Sequence, residues 1–105
     1  MFVQVFSGWR YRPGVRGRLA EQRLGERPSG ELRPNALGLL ARLLATRTDD
    51  PDTGIGVWVW ESEAACRDYE ATSLADTVAR LEAEMDMSAM TETTFDALYF
   101  GRRID

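Results

Sequence analysis

The side chains best placed to do chemistry in this chain are five: Gln4, Arg42, Trp58, Trp60 and Asp96. Gln4, Arg42 and Asp96 interrupt apolar stretches, Phe2-Val3-Gln4-Val5-Phe6, Leu40-Ala41-Arg42-Leu43-Leu44 and Phe95-Asp96-Ala97-Leu98. Trp58 and Trp60 alternate with valines in Val57-Trp58-Val59-Trp60. A charge among apolar side chains must be paired, wetted or touched by a ligand. Arg42 keeps its charge and offers a planar fork to an acidic or phenolic oxygen, so it is the candidate stabiliser of a phenolate or enolate. The two tryptophans are candidate walls of an aromatic pocket, with Gln4 and Asp96 as its polar contacts. Together the five are the candidate substrate-binding residues.

The residues that are missing narrow the chemistry further. The chain has no histidine, which removes the usual general base and the commonest zinc ligand. A base would have to be Asp96, Glu61 or a tyrosine, or the substrate would ionise itself. A single cysteine, Cys66, makes neither an internal disulfide nor a cysteine-rich zinc site. Gly54-Ile55-Gly56 is a fragment of a dinucleotide fingerprint that leads into a strand rather than a helix. Neither a metal nor a cofactor is expected.

The elements that must position these groups can be read from periodicity and turn signals. The 105 residues suit one domain, 1–105. Residues 1–7 predict a first strand ended by Gly8, with Trp9 in a Pro/Gly-marked loop. A first helix is expected over 14–27, and a short helical turn near 31–33. Leu39 to Thr46 and Ile55 to Glu61 predict a hairpin across the Asp49–Gly54 turn. Ser62 is a good N-cap for a second helix running to about Met85, with an interruption or second cap at 71–73. Leu74, Val78, Leu81 and Met85 form its apolar stripe. Thr93 to Phe100 predicts the last strand. The order is β-α-β-β-α-β: a ferredoxin-like α+β fold with a four-stranded antiparallel sheet and its helices on one face.

Both faces of that sheet are apolar. Val3, Val5, Val57 and Val59 point one way. Phe2, Phe6, Leu40, Leu44, Trp58, Trp60, Leu98 and Phe100 point the other, in phase with Gln4, Arg42 and Asp96. One layer of helices covers one face only, and a large bare apolar patch is unusual in a monomer. A homodimer is therefore expected, with the tryptophan face turned to the partner and Arg42 near Asp96. The start lacks the charged segment and cleavage site of a signal peptide, and no apolar run is long enough to cross a bilayer, so a cytoplasmic protein with no membrane partner is expected.

The strand Met1-Phe2-Val3-Gln4-Val5-Phe6, the segment Glu31-Leu32-Arg33-Pro34 and the strand-to-helix passage Trp58-Val59-Trp60-Glu61-Ser62-Glu63-Ala64-Ala65 resemble the antibiotic-biosynthesis monooxygenase family of dimeric α+β barrels. The resemblance spans most of the chain, through loose motifs. It implies a homodimer with a cavity between sheet and helices. It also implies, for some members, cofactor-independent oxidation of an aromatic or polyketide-like small molecule, an oxidoreductase activity in which the electron-rich substrate reacts with O₂ itself. Oxygenase members place Trp, Asn and Arg near substrate; Trp58, Trp60, Arg42 and Asn35 are the residues available here. Haem-degrading members use a histidine that this chain lacks. Two other readings stand beside this one. The first is a non-catalytic barrel that binds a small ligand or only assembles. The second is an RNA-recognition module, whose strand-three signature Thr53 to Trp60 partly mimics; its stacking positions hold Ile55 and Val57, and a net charge of −4 disfavours nucleic acid.

Overall fold

A computed structural model describes residues 1–17, 37–101 and 103. The helix expected over 14–27 lies outside the described residues except for helical residues 15–17, as do the turn at 31–33 and Asn35. The described elements are β1 (Phe2–Tyr11), β2 (Leu39–Thr46), β3 (Thr53–Trp60), α1 (Glu63–Glu82), β4 (Met85–Asp86) and β5 (Thr91–Asp96). β1 is central. It pairs antiparallel with β3 on one side, and β2 continues the sheet beyond β3. On its other side β4 pairs with Arg10 and Tyr11, and β5 with Phe2 to Ser7. β4 and β5 thus share one edge of β1. The architecture is α+β and ferredoxin-like, with α1 carrying the chain from β3 across to that far edge.

β1 is longer than expected. Gly8 does not end it. Its backbone takes a positive φ of 82° and shifts the register between Ser7 and Trp9, a bulge that bends the strand and lets it continue. A Cβ at Gly8 would lie 2.7 Å from the carbonyl oxygen of Ala89, so both backbone angle and space favour glycine there. Trp9 is consequently no loop residue. It is 3% exposed, and its ring packs against Gly54, where a Cβ would lie 2.0 Å from the ring atom Cη2. Tyr11 meets it edge-on at 5.2 Å.

The hairpin forms as expected, with β3 beginning at Thr53. Its turn is tied by hydrogen bonds from Arg47 N to Thr53 O and from Thr53 N to Asp50 O, at 2.9 and 3.0 Å. The Thr53 hydroxyl and the Arg10 guanidinium both donate to Asp50 at 2.7 Å, which anchors the turn to β1.

Ser62 caps α1, accepting from Ala65 N at 3.1 Å. Glu63 lies in the first turn and Arg80 in the last, each suited to the helix dipole. The helix runs unbroken through 71–73. Thr72 and Thr77 donate to the carbonyls of Asp68 and Ser73, one turn back, so these hydroxyls do not compete as caps.

The last strand sits earlier than expected, at Thr91–Asp96. The ladder with β1 runs out there: Asp96 faces Phe2, and Ala97 N donates the final bond to Met1 O at 2.9 Å. Leu98, Tyr99 and Phe100 therefore lie beyond the sheet and are exposed.

Two expectations follow from this architecture. Trp9→Ala should destabilise the chain by about 3–5 kcal/mol in a denaturant titration, the range for truncating a buried Trp. The second concerns acid. The Thr53 hydroxyl first, and the Arg10 guanidinium next, hold the Asp50 carboxyl at about 2. The ionised form thus favours folding above the unfolded pKa of about 3.9, and this contribution is lost as pH falls through about 2. The unfolding midpoint should fall more steeply across that window in the wild-type chain than in Asp50→Asn, as measured by circular dichroism.

Candidate functional site

The register sorts side chains into rows across the sheet, since directly paired residues share a face. Leu39, Trp60, Phe2 and Asp96 form one row. Arg42, Trp58, Gln4 and Thr94 form the next, and Leu44, Gly56, Phe6 and Glu92 the one after. The shared phase expected for Gln4, Arg42, Trp58, Trp60 and Asp96 is present. A register shift between Leu39 and Ala41 brings Leu39, rather than Leu40, beside Trp60.

What differs is the covering of that face. It was expected to meet a partner sheet, but α1 of the same chain packs on it. Trp60 and Cys66 are fully buried with Phe2 at the contact, and Leu39, Trp58, Ala65 and Tyr69 pack around them. In the opposite phase Leu43, Ile55 and Phe95 are exposed and Val3, Val5 and Val57 half-buried, while Val59 is buried. The sequence leaves this choice open because both phases are apolar.

Aromatic stacking holds helix and sheet together at one end. Trp60 stacks with Trp58 at 5.9 Å and 19°, and Tyr69 packs on both, at 5.4 and 5.7 Å. Beyond these rings the two layers separate around a cavity of about 220 Å³. Gln4, Phe6, Arg42, Leu44, Gly56 and Trp58 line it from the sheet. Tyr69, Glu70, Leu74, Thr77, Val78 and Leu81 line it from α1, so most of the predicted helix stripe faces the cavity. Trp9, Met85, Met87, Met90 and Glu92 close the remaining side. The wall is mostly apolar, with three flexible thioethers that adapt readily to a ligand.

The polar groups within it form a defined network. The Trp60 indole N–H donates to Gln4 Oε1 at 2.9 Å, and Gln4 Nε2 donates to Glu92 Oε1 at 3.0 Å. An indole nitrogen only donates, so this bond fixes which way the Gln4 amide points. Tyr69 and Thr77 share a hydroxyl–hydroxyl bond of 2.7 Å. Glu70 accepts from Arg67 and from the Cys66 thiol. Burial, followed by the bond to Glu70, pushes that thiol up to about 12, so Cys66 stays protonated and is no nucleophile at neutral pH. The Arg42 guanidinium lies 4.5 Å over the Trp58 ring, a cation–π contact at the cavity wall.

Three of the five predicted residues, Gln4, Arg42 and Trp58, therefore line one cavity. Trp60 stands behind it and orients Gln4. Asp96 is exposed and outside the lining, and two strands separate it from β2, so the expected proximity to Arg42 does not arise within the chain. Glu61 is also outside the lining. Glu92, Met87 and Met90 come from the stretch between the expected second helix and the last expected strand, whereas Met85 belongs to the predicted helix stripe, and Gly56 has no side chain to mark it. Among the described residues, no group of three or more His, Cys, Asp or Glu is placed to hold a metal ion, and no helix is long and apolar enough to cross a membrane.

Solved structures share this fold. A candidate antibiotic biosynthesis monooxygenase from Chloroflexus aurantiacus is 18% identical over 97% of this chain and 98% of its own, with a TM-score of 0.65. MhuD, solved with two manganese protoporphyrin IX molecules per active site, is 17% identical over 98% of this chain and 100% of its own, at 0.63. SnoaB, a cofactor-independent oxygenase from Streptomyces nogalater, is 14% identical over 94% and 95%, at 0.59. No protein-family model matches the chain, and no curated protein matches it. At these identities the likeness concerns the fold, that of the antibiotic biosynthesis monooxygenase structures.

The Gln4 network generates a direct test. Gln4→Leu leaves the buried Trp60 indole N–H without its acceptor, which costs about 1–3 kcal/mol. Chemical denaturation should register this loss, and the Trp60 fluorescence maximum should shift.

Proposed function

We propose that this cavity binds a flat aromatic or polyketide-like small molecule, and that the protein oxidises it as a cofactor-independent monooxygenase. One observation carries the reading: a mostly apolar, aromatic-walled cavity with a few oriented polar groups, the usual composition of a small-molecule site. The fold shared with a cofactor-independent oxygenase supports it. In such a reaction an electron-rich CH₂ flanked by rings loses a proton, and the carbanion reduces O₂. One oxygen atom ends on that carbon as a carbonyl. The other leaves as water with the two hydrogens, so no outside reductant is required. Arg42 would stabilise the anionic oxygen of the ionised substrate, and Trp58 would wall the rings.

A specific feature favours a second reading, a non-catalytic binding barrel. The cavity's polar groups already satisfy one another: Gln4 with Trp60 and Glu92, Tyr69 with Thr77, Glu70 with Cys66 and Arg67. Arg42→Met separates the readings from a failure to bind. The variant should fold, yet bind a polycyclic phenol about tenfold more weakly, as a charged hydrogen bond would require; quenching of Trp58 and Trp60 reads the affinity. Oxygen uptake with an anthrone would then mark an enzyme, and binding without uptake a carrier.

We also propose that a second copy covers the bare face of Leu43, Ile55 and Phe95, removing exposed apolar area from water. Sedimentation at micromolar concentration should give twice 11.8 kDa. Phe95→Asp should shift the chain towards monomer, and a wild-type monomer would refute the assignment.

A further inference from the structure

We infer that the pit at Gly56, edged by the Trp58 indole N–H, is an acceptor-oxygen subsite that selects ring systems bearing a carbonyl, phenolate or enolate oxygen. This inference rests on the proposed aromatic-binding role of the cavity and adds a specificity-determining group to it.

Gly56 lies between Leu44 and Phe6 in its row, and Trp58 is two residues further along β3 on the same face. A Cβ built at Gly56 would sit 3.3 Å from a Leu44 methyl and 4.0 Å from both Phe6 Cβ and Trp58 Nε1. The missing side chain therefore leaves a depression of about one heavy atom, with the indole nitrogen on its rim. Gly56 has no positive φ, so its backbone angle does not demand glycine. The space does the selecting.

Trp60 donates its N–H to Gln4, whereas Trp58 Nε1 makes no hydrogen bond to another described residue and is not sealed from solvent, so it is open to the cavity that Trp58 lines. An indole nitrogen is a donor only, so a ligand atom that satisfies it must be an acceptor. Arg42, stacked on the same ring, adds positive charge and favours an oxygen that carries negative charge. Glu92 on β5 stands two strands from Trp58 and three from Arg42, about 10 and 14 Å at the usual strand spacing. The cavity is thus polarised: acceptor oxygen towards Trp58 and Arg42, hydroxyl or other donor towards Glu92.

Fluorenone and fluorene test this directly, because they share a three-ring skeleton and differ in a carbonyl against a CH₂. Equilibrium dialysis of the wild-type chain should show fluorenone bound about three- to tenfold more tightly, the range of one neutral hydrogen bond. Trp58→Phe keeps a ring and removes the donor. Gly56→Ala keeps the donor and fills the pit. In either variant, with folding checked by circular dichroism, the preference should fall towards one. A preference that survives in a folded variant overturns the subsite and leaves the aromatic-binding role standing. Equal binding of the two compounds by the wild-type chain does the same. Binding of neither compound overturns both.

Discussion

Trp60 is the point at which helix and sheet are joined, and the rest of the site depends on how it is held. Its ring is fully buried with Phe2 and Cys66, stacked against Trp58 and Tyr69. Burying so large a side chain is a major favourable term, but only if its N–H finds an acceptor. Gln4 supplies that acceptor and is in turn fixed by it, leaving its amide nitrogen for Glu92. One buried hydrogen bond thus couples packing at the closed end of the layer to polarity at the open end.

The cavity follows from the size of the groups on either side of that junction. Where Trp58, Trp60 and Tyr69 meet, helix and sheet are filled by rings. One row further on, Gly56 replaces a ring with nothing, and the facing helix presents Leu74, Val78 and Leu81. Side chains of unequal size in successive rows leave a space that neither layer fills. Trp9, lying on Gly54, closes the sheet side beyond it. Two glycines in β3 therefore have opposite uses: Gly54 receives a tryptophan ring, and Gly56 leaves a pit.

Much of this arrangement is visible in the sequence, because strand alternation fixes phase. The period of two groups Gln4 with Phe2 and Phe6, Arg42 with Leu44, and Trp58 with Trp60 within their own strands, and Ser62 announces the helix by its capping chemistry; that the three groups share one face comes from the strand register. The covering of that face is not encoded locally. Val3, Val5 and Val57 are as apolar as Phe2, Phe6 and Trp58, so hydrophobic pattern cannot say which set meets the helix. Trp9 is hidden by a different ambiguity: Gly8 signals a strand end, yet a positive-φ glycine equally makes a bulge through which the strand continues. Leu98-Tyr99-Phe100 has better strand propensity than Thr91-Glu92-Thr93-Thr94, but pairing ends at Met1, and backbone partners outweigh propensity. Glu92, Met87 and Met90 carry no local signature, since only tertiary contact brings them to the site.

The proposed ligand site lies within one protomer, between sheet and helix, rather than between two sheets. A crystal structure of the protein soaked with a polycyclic phenol tests it most directly. The expected result is the ring system over Gly56, walled by Trp58 and the helix residues Leu74 and Val78. Ordered ligand instead against Leu43, Ile55 and Phe95, with the cavity beneath α1 empty, would contradict it.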